Sequence, residues 1–221
     1  MIRAFLFDLD GTLLDTETLW VRALRAWLLE NGVSCTDAEA VALVYGHSWR
    51  DIYAEIVRRH PHLGIGEQAA GEATRPHFRR LRDRTDVRIP GSVALLRRLA
   101  ATHPVAIVSG SPRADVADGI GLLGIGPLLR FYLGAEDYPR GKPDPSGFLL
   151  AAERLGEAPA GCVVFEDSAA GVRAAKAAGM RCVALARPDA HRQDLAGADL
   201  VLADLEAFDP HALRGTGRHH P

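Results

Sequence analysis

Cysteine is scarce in this chain: Cys35, Cys162 and Cys182 form no CxxC pair, and their odd count argues against a disulfide framework. Reduced thiols in a cytoplasm fit such usage. Long apolar runs are missing too, since nothing approaches the roughly 18 consecutive apolar residues of a membrane span. The N-terminal stretch MIRAFLFDLD meets acids too early for a secretory leader. Neither sign of charge is in surplus, with a formal net charge of -2 and a pI near 6.5. Nothing therefore draws the whole surface to nucleic acid or to an anionic membrane, and any anion recognition has to be local. The basic stretch Arg79, Arg80, Arg82, Arg84 and Arg88 is interrupted by Asp83 and Asp86, as on a solvated helix face. A cytoplasmic monomer or weak dimer with a pocket for a small molecule is the expectation.

What is present is apolar material for a core: 48% of the 221 residues are hydrophobic and 24% are charged. Four short apolar runs stop abruptly at polar residues: Ala4 to Phe7, Val105 to Val108, Cys162 to Phe165 and Cys182 to Ala186. Each has the length and composition of a buried parallel strand. Helical patterns alternate with them, at Ser92 to Ala101, Asp115 to Leu123, Phe148 to Leu155 and Ala169 to Ala178, and Gly156 and Gly179 stand as helix stops. Strand followed by helix, repeated, predicts an α/β fold with a Rossmann-like doubly wound parallel sheet. Between Asp15 and Val87 no strand-like run occurs. Helix-like segments at Leu19 to Glu30, Asp37 to Val44, Trp49 to His60 and Glu67 to Arg84 predict an inserted all-helical cap domain over 15–87. The core is then 1–14 with 88–214, and Gly215 to Pro221 is expected to be a flexible tail.

In an open parallel sheet, ligands bind beyond the carboxyl ends of the strands, so the residues that stop the apolar runs converge on one crevice. Here they are Asp8, Ser109, Glu166 and Asp167, joined by Lys142 from the loop RGKPDP. The set holds acids, a hydroxyl and a cation, as phosphoryl transfer requires. Asp8 and Asp10 stand two apart in DLDGTLLDTE, and Gly11 lets the chain leave tightly. Neighbouring acids repel unless a cation lies between them, and Mg²⁺ takes oxygen ligands, so Asp8, an Asp10 carbonyl and Asp167 make a plausible partial cage. Asp8 is placed as nucleophile and Asp10 as acid and base, with Ser109, the N–H groups of Gly110 and Ser111, and Lys142 on the phosphate. Simpler roles compete: Ser109 as cap of the helix near Pro112, Lys142 as a loop charge, Glu166 and Asp167 as caps of the Ala169 helix.

DLDGTLLDTE, VSGS, GKPDP and VVFEDSAAGV, in that order, resemble the four signature motifs of the haloacid dehalogenase-like superfamily, in the branch with a helical cap after the first motif. The likeness covers nearly the whole chain. It implies a Mg²⁺-dependent phosphatase acting through an aspartyl-phosphate, with Asp8, Asp10, Glu166 and Asp167 at the metal and Glu166 working through a bound water. Members that are dehalogenases lack the second acid, present here as Asp10. Phosphonatase-like members need a cap lysine, and 15–87 has none. β-Phosphoglucomutase-like members carry a His where this chain has Trp20, which favours a sugar- or polyol-phosphate phosphatase over a phosphosugar mutase. A phosphoglycolate phosphatase is a further alternative. A receiver-like phospho-switch is disfavoured because it needs neither Asp10 nor a helical insertion. Specificity is expected from the cap, where YGHSWRD matches the family's specificity loop, with Trp20, His47, Trp49, Arg50 and Arg75 as candidate substrate contacts.

Overall fold

The computed structural model describes residues 1–45, 47, 49–188 and 190–213, so the expected tail lies outside the described residues. Two compact units result: Met1–Leu14 with Arg88–Pro221, and Asp15–Val87.

The first unit is built on six parallel strands in the order β3-β2-β1-β4-β5-β6. They are β1 Ala4–Phe7, β2 Val105–Val108, β3 Phe131–Leu133, β4 Cys162–Glu166, β5 Arg181–Leu185 and β6 Leu200–Leu202. The apolar runs of β1, β2 and β4 are wholly buried, as strands covered on both faces must be. Sequence reading missed β3 and β6. Both are three-residue edge strands, and an edge partly open to solvent lets mixed residues in, so neither shows a continuous buried run.

Alternation along the strands divides the core. Ala4, Leu6, Ala106, Val108, Cys162, Val164, Cys182 and Ala184 face one side, where they pack with Phe148, Ala151, Val172 and Ala175. The opposite set stacks aromatic rings: Phe7 on Phe165 at 4.4 Å between centroids, and Phe165 edge-on to Phe208 at 5.0 Å. The helices of this unit are α5 Pro90–Ala100, α6 Arg113–Leu123, α7 Ser146–Leu155 and α8 Ala169–Ala177. Pro90 opens α5 at a position where its missing N–H costs nothing, and left-handed Gly124 and Gly156 end α6 and α7.

The second unit is all helical among its described residues: α1 Glu17–Glu30, α2 Asp37–Val44, α3 Trp49–Arg59 and α4 Glu67–Arg82. Val21, Leu24, Trp27, Leu28, Leu43, Ile52 and Ile56 form its core. Thr36 starts α2 with a capping box, accepting from the Glu39 N–H while the Glu39 carboxylate accepts from the Thr36 N–H at 2.8 Å. No helix among the described residues is long and apolar enough to cross a membrane.

The cysteines offer a check on this core. Cys162 and Cys182 are fully buried and burial pushes both thiols up, Cys162 to about 11, whereas Cys35 is half-exposed. Ellman's reagent should titrate one thiol in the native protein and three in denaturant. Rapid labelling of all three without denaturant would contradict the packing of β4 and β5.

Candidate functional site

Strand order reverses beside β1, whose two neighbours β2 and β4 come from different parts of the chain. Such a switch point opens a crevice at the carboxyl ends. Asp8 follows β1 directly, its N–H donating to the Phe165 carbonyl at 2.9 Å, and Glu166 is the last residue of β4. Phe7 pairs with Phe165, so Asp8 and Glu166 come next in register. Two carboxylates are thus placed side by side in a buried position: Asp8 is 5% exposed and Glu166 0%.

Lys142 makes this arrangement tenable. Its ammonium donates to Asp8 Oδ1 and to Glu166 Oε1 and is itself largely buried. Only one other lysine, Lys176, exists in the whole chain. The second Glu166 oxygen, Oε2, accepts from the Asp167 N–H at 3.0 Å, the Ser168 N–H at 2.9 Å and the Ser168 hydroxyl at 2.9 Å. Glu166 is therefore bonded at both oxygens. The Phe148 ring lies 5.3 Å from the Lys142 nitrogen and adds a cation–π contact.

Asp167 joins the group through the loop after β4, where the buried Thr12 hydroxyl donates to its Oδ1 at 3.0 Å. One carboxylate oxygen each from Asp8, Glu166 and Asp167 lies within 4.8 Å of the others. Backbone shape permits this approach. Gly11 has φ +83°, and a Cβ there would stand 2.1 Å from Asp167 Oδ2; a Cβ on Gly171 would stand 1.8 Å from Glu166 Oε1.

Asp10 occupies different surroundings. Its Oδ2 accepts from the Ser111 hydroxyl at 2.6 Å and from the Ser109 hydroxyl at 3.3 Å. Ser109 Oγ in turn accepts from the Ser111 N–H at 3.0 Å, so the loop after β2 folds its hydroxyls toward the acid. Asp10 is not among the three clustered carboxylates, and the share of a metal site foreseen for it concerned its backbone carbonyl.

The competing reading of Glu166 and Asp167 as helix caps fails. The α8 helix is capped by Ser168, whose hydroxyl accepts from the Gly171 N–H at 3.0 Å, and not by Glu166 or Asp167. Thr12 and Ser168 were missed by sequence reasoning, and of Ser111 only the backbone N–H was foreseen, not the hydroxyl that bonds Asp10. Their only signal is closeness to other motif residues, the acids for Thr12 and Ser168 and Ser109 for Ser111, and their partners are fixed by tertiary folding. The residues foreseen for substrate contact all belong to the helical unit. There Trp20 stacks on Phe78 with centroids 4.1 Å apart, and the Trp49 indole N–H donates to the Glu67 carbonyl at 3.3 Å. Arg75 on α4 is half-buried, while His47 and Arg50 are exposed; Gly46 and Ser48 of the YGHSWRD loop lie outside the described residues.

The electrostatics of the group leave a negative surplus. Three carboxylates face one ammonium, and burial drives the Asp8 carboxyl well above its ordinary range despite the opposing pull of Lys142. Burial acts against the charge of Lys142, yet Asp8 and Glu166 together keep it raised, so the ammonium stays protonated. A cluster of hard oxygen donors with excess negative charge suits a divalent cation, and the donor set fits one.

Comparison with known proteins adds an independent line. A family model described as haloacid dehalogenase-like hydrolase matches residues 2–179. Hexitol phosphatase A of Escherichia coli K12 is 39% identical over 92% of this chain and 92% of its own length. Validoxylamine A 7'-phosphate phosphatase of Streptomyces hygroscopicus subsp. limoneus is 34% identical over 96% of this chain and 98% of its own. Among solved structures, CbbY from Rhodobacter sphaeroides in complex with phosphate superposes with a TM-score of 0.85 at 25% identity, covering 96% of this chain and 99% of that one.

Removing the ammonium tests the electrostatic account. Lys142→Met keeps the stem but leaves Asp8 and Glu166 as unpaired buried neighbours, and should lower the unfolding free energy by about 3–5 kcal/mol in urea titrations without divalent cation. A loss under about 1 kcal/mol would show that the pair is not held together by Lys142.

Proposed function

The chain belongs to the haloacid dehalogenase-like hydrolase family, and from that premise we propose that it is a Mg²⁺-dependent phosphatase that hydrolyses a sugar or polyol monophosphate through an aspartyl-phosphate on Asp8. One observation carries the reading: the two acids of the first motif stand in different surroundings. Asp8 is buried against Lys142 within the acidic cluster, and Asp10 is bonded to serine hydroxyls outside it. Nucleophile and proton carrier need that separation.

In this mechanism an Asp8 oxygen attacks phosphorus, the P–O bond to the leaving alkoxide breaks, and Asp10 gives the alkoxide its proton. Water then attacks the phosphorus of the aspartyl-phosphate while Asp10 takes a proton from it. Inorganic phosphate leaves and the Asp8 carboxylate is restored. Lys142 and the Ser109 hydroxyl, with the N–H of Gly110, stabilise charge on the phosphoryl oxygens. Asp8, Asp167 and the Asp10 carbonyl would hold Mg²⁺, with Glu166 acting through a water. Bound there, Mg²⁺ offsets repulsion between the carboxylates and the anionic substrate.

Two relatives named for a hexitol phosphatase and a validoxylamine A 7'-phosphate phosphatase support the sugar or polyol class. Trp20, His47, Trp49, Arg50 and Arg75 remain the proposed cap contacts. Trp20 stacks on Phe78, and Trp49 packs on the helical core with its N–H bonded to Glu67, so the exposed His47 and Arg50 are the better first targets.

Phosphate release from a panel of sugar, polyol, glycolate and nucleoside phosphates tests the reading. Turnover should require Mg²⁺, cease with EDTA, vanish in Asp8→Asn and fall about 10²- to 10⁴-fold in Asp10→Asn. Parental activity in Asp8→Asn, or a nucleotide as best substrate, would reject it.

A further inference from the structure

Tyr138 follows the short turn after β3 and sits in the core with Val108, Leu133, Phe148 and Ala151. Packing at such a place calls for a ring and not for a hydroxyl, because an O–H taken out of water costs free energy unless it is bonded. The Tyr138 hydroxyl donates to the Ser109 carbonyl at 2.7 Å in a buried bond. On the other side of that residue, the Ser109 N–H donates to the Leu133 carbonyl at 3.0 Å. Both backbone polar groups of Ser109 are therefore held by the segment 133–138, where the β2–β3 ladder has just ended at Val108 and Leu133. Ser109 is 1% exposed, so water is no ready substitute for either bond.

The segment is itself pinned. The Ala135 N–H donates to the Ser111 carbonyl at 2.9 Å, the Arg113 N–H to Glu136 Oε2 at 2.8 Å and the Arg113 guanidinium to Asp137 Oδ2 at 2.6 Å. The Arg113 guanidinium also lies 4.4 Å from the centre of the Tyr132 ring. Tyr138 thus reaches Ser109 from a braced turn, and four residues later the same chain reaches Lys142.

From this geometry we infer that Tyr138 is a positioning residue for phosphate binding: its hydroxyl fixes the Ser109 peptide and so aims the Ser109 hydroxyl at the phosphoryl group. The inference rests on the phosphatase reading, in which that hydroxyl donates to the substrate. Tyr138 acts through Ser109 and touches no reacting atom.

Tyr138→Phe deletes one oxygen and keeps the ring. In the full chain with Mg²⁺, KM and the inhibition constant of inorganic phosphate should rise about fivefold or more, with a smaller change in kcat and a thermal midpoint within a few degrees of the parent. Incorporating 4-aminophenylalanine at position 138 restores a donor and should return both constants toward the parental values. In a Ser109→Ala background, Tyr138→Phe should weaken phosphate inhibition by clearly less than it does in the parent, because the hydroxyl being aimed is gone and only the Gly110 N–H of the same peptide is left. Parental constants in Tyr138→Phe, an equal loss in the Ser109→Ala background, or no recovery with the amino analogue would each overturn the inference. If the parent turns over no phosphomonoester, the phosphatase reading fails instead. Calorimetric binding of inorganic phosphate to the parent and to Tyr138→Phe then decides the role of Tyr138 separately.

Discussion

One buried ammonium between two buried carboxylates is the constraint around which the first unit is arranged. Asp8 and Glu166 end adjacent parallel strands, and without Lys142 their charges would stand unscreened in a region that excludes water. Hydrophobic residues would fill that space at lower cost, since a buried ion triad is poor evidence of stabilisation. Its presence at a strand-order reversal is therefore better explained by chemistry than by folding.

The surroundings are built to hold these charges still. Glu166 is bonded at both oxygens, Thr12 fixes one oxygen of Asp167, and Ser111 and Ser109 bond Asp10. Apart from Lys142, which comes from the longer loop after β3, each support stands close to a strand end, so the rigid sheet is transmitted directly to the acids. The glycines at 11 and 171 serve the same end, because each lets a carboxylate lie where a Cβ would otherwise be. Electrostatic preorganisation of this kind needs groups that do not reorient when charge moves.

Central strands were legible in the sequence because burial on both faces demands an uninterrupted apolar run, as in AFLF, VAIV and CVVF. Edge strands were not, since FYL and LVL need satisfy burial only in part, and three residues carry no period. The four helices of the second unit were legible from their apolar spacing. Within the site, the acids and Lys142 announce themselves by standing where apolar runs end or in the loop RGKPDP. Tyr138 and the hydroxyls of Thr12 and Ser111 do not. Their function is a single hydrogen bond to a residue distant in the chain, across 29, 155 and 101 positions, and no local pattern encodes such a partner. Ser168 settles the competing cap reading: the neutral hydroxyl beside Glu166 and Asp167 caps the helix, so neither acid has that role.

The identity of the buried cation follows from shape. Lysine occurs twice in this chain, at 142 and 176, whereas the other 24 basic residues are arginine. A composition so strongly tilted to arginine makes the exception informative. Guanidinium is a broad planar fork that favours paired oxygens of one carboxylate, whereas an ammonium is a compact charge with three rotatable donors. At position 142 the cation has to touch one oxygen of Asp8 and one of Glu166 while leaving Glu166 Oε2 to the loop that follows β4. A fork taking both oxygens of Glu166 would displace the backbone bonds that hold that loop, and one taking both oxygens of Asp8 would occupy the oxygen that the proposed mechanism uses for attack. The ammonium can share itself between two acids and still keep a third N–H for another oxygen, which reconciles the folded-state ion pair with the phosphate-binding role proposed for the same side chain.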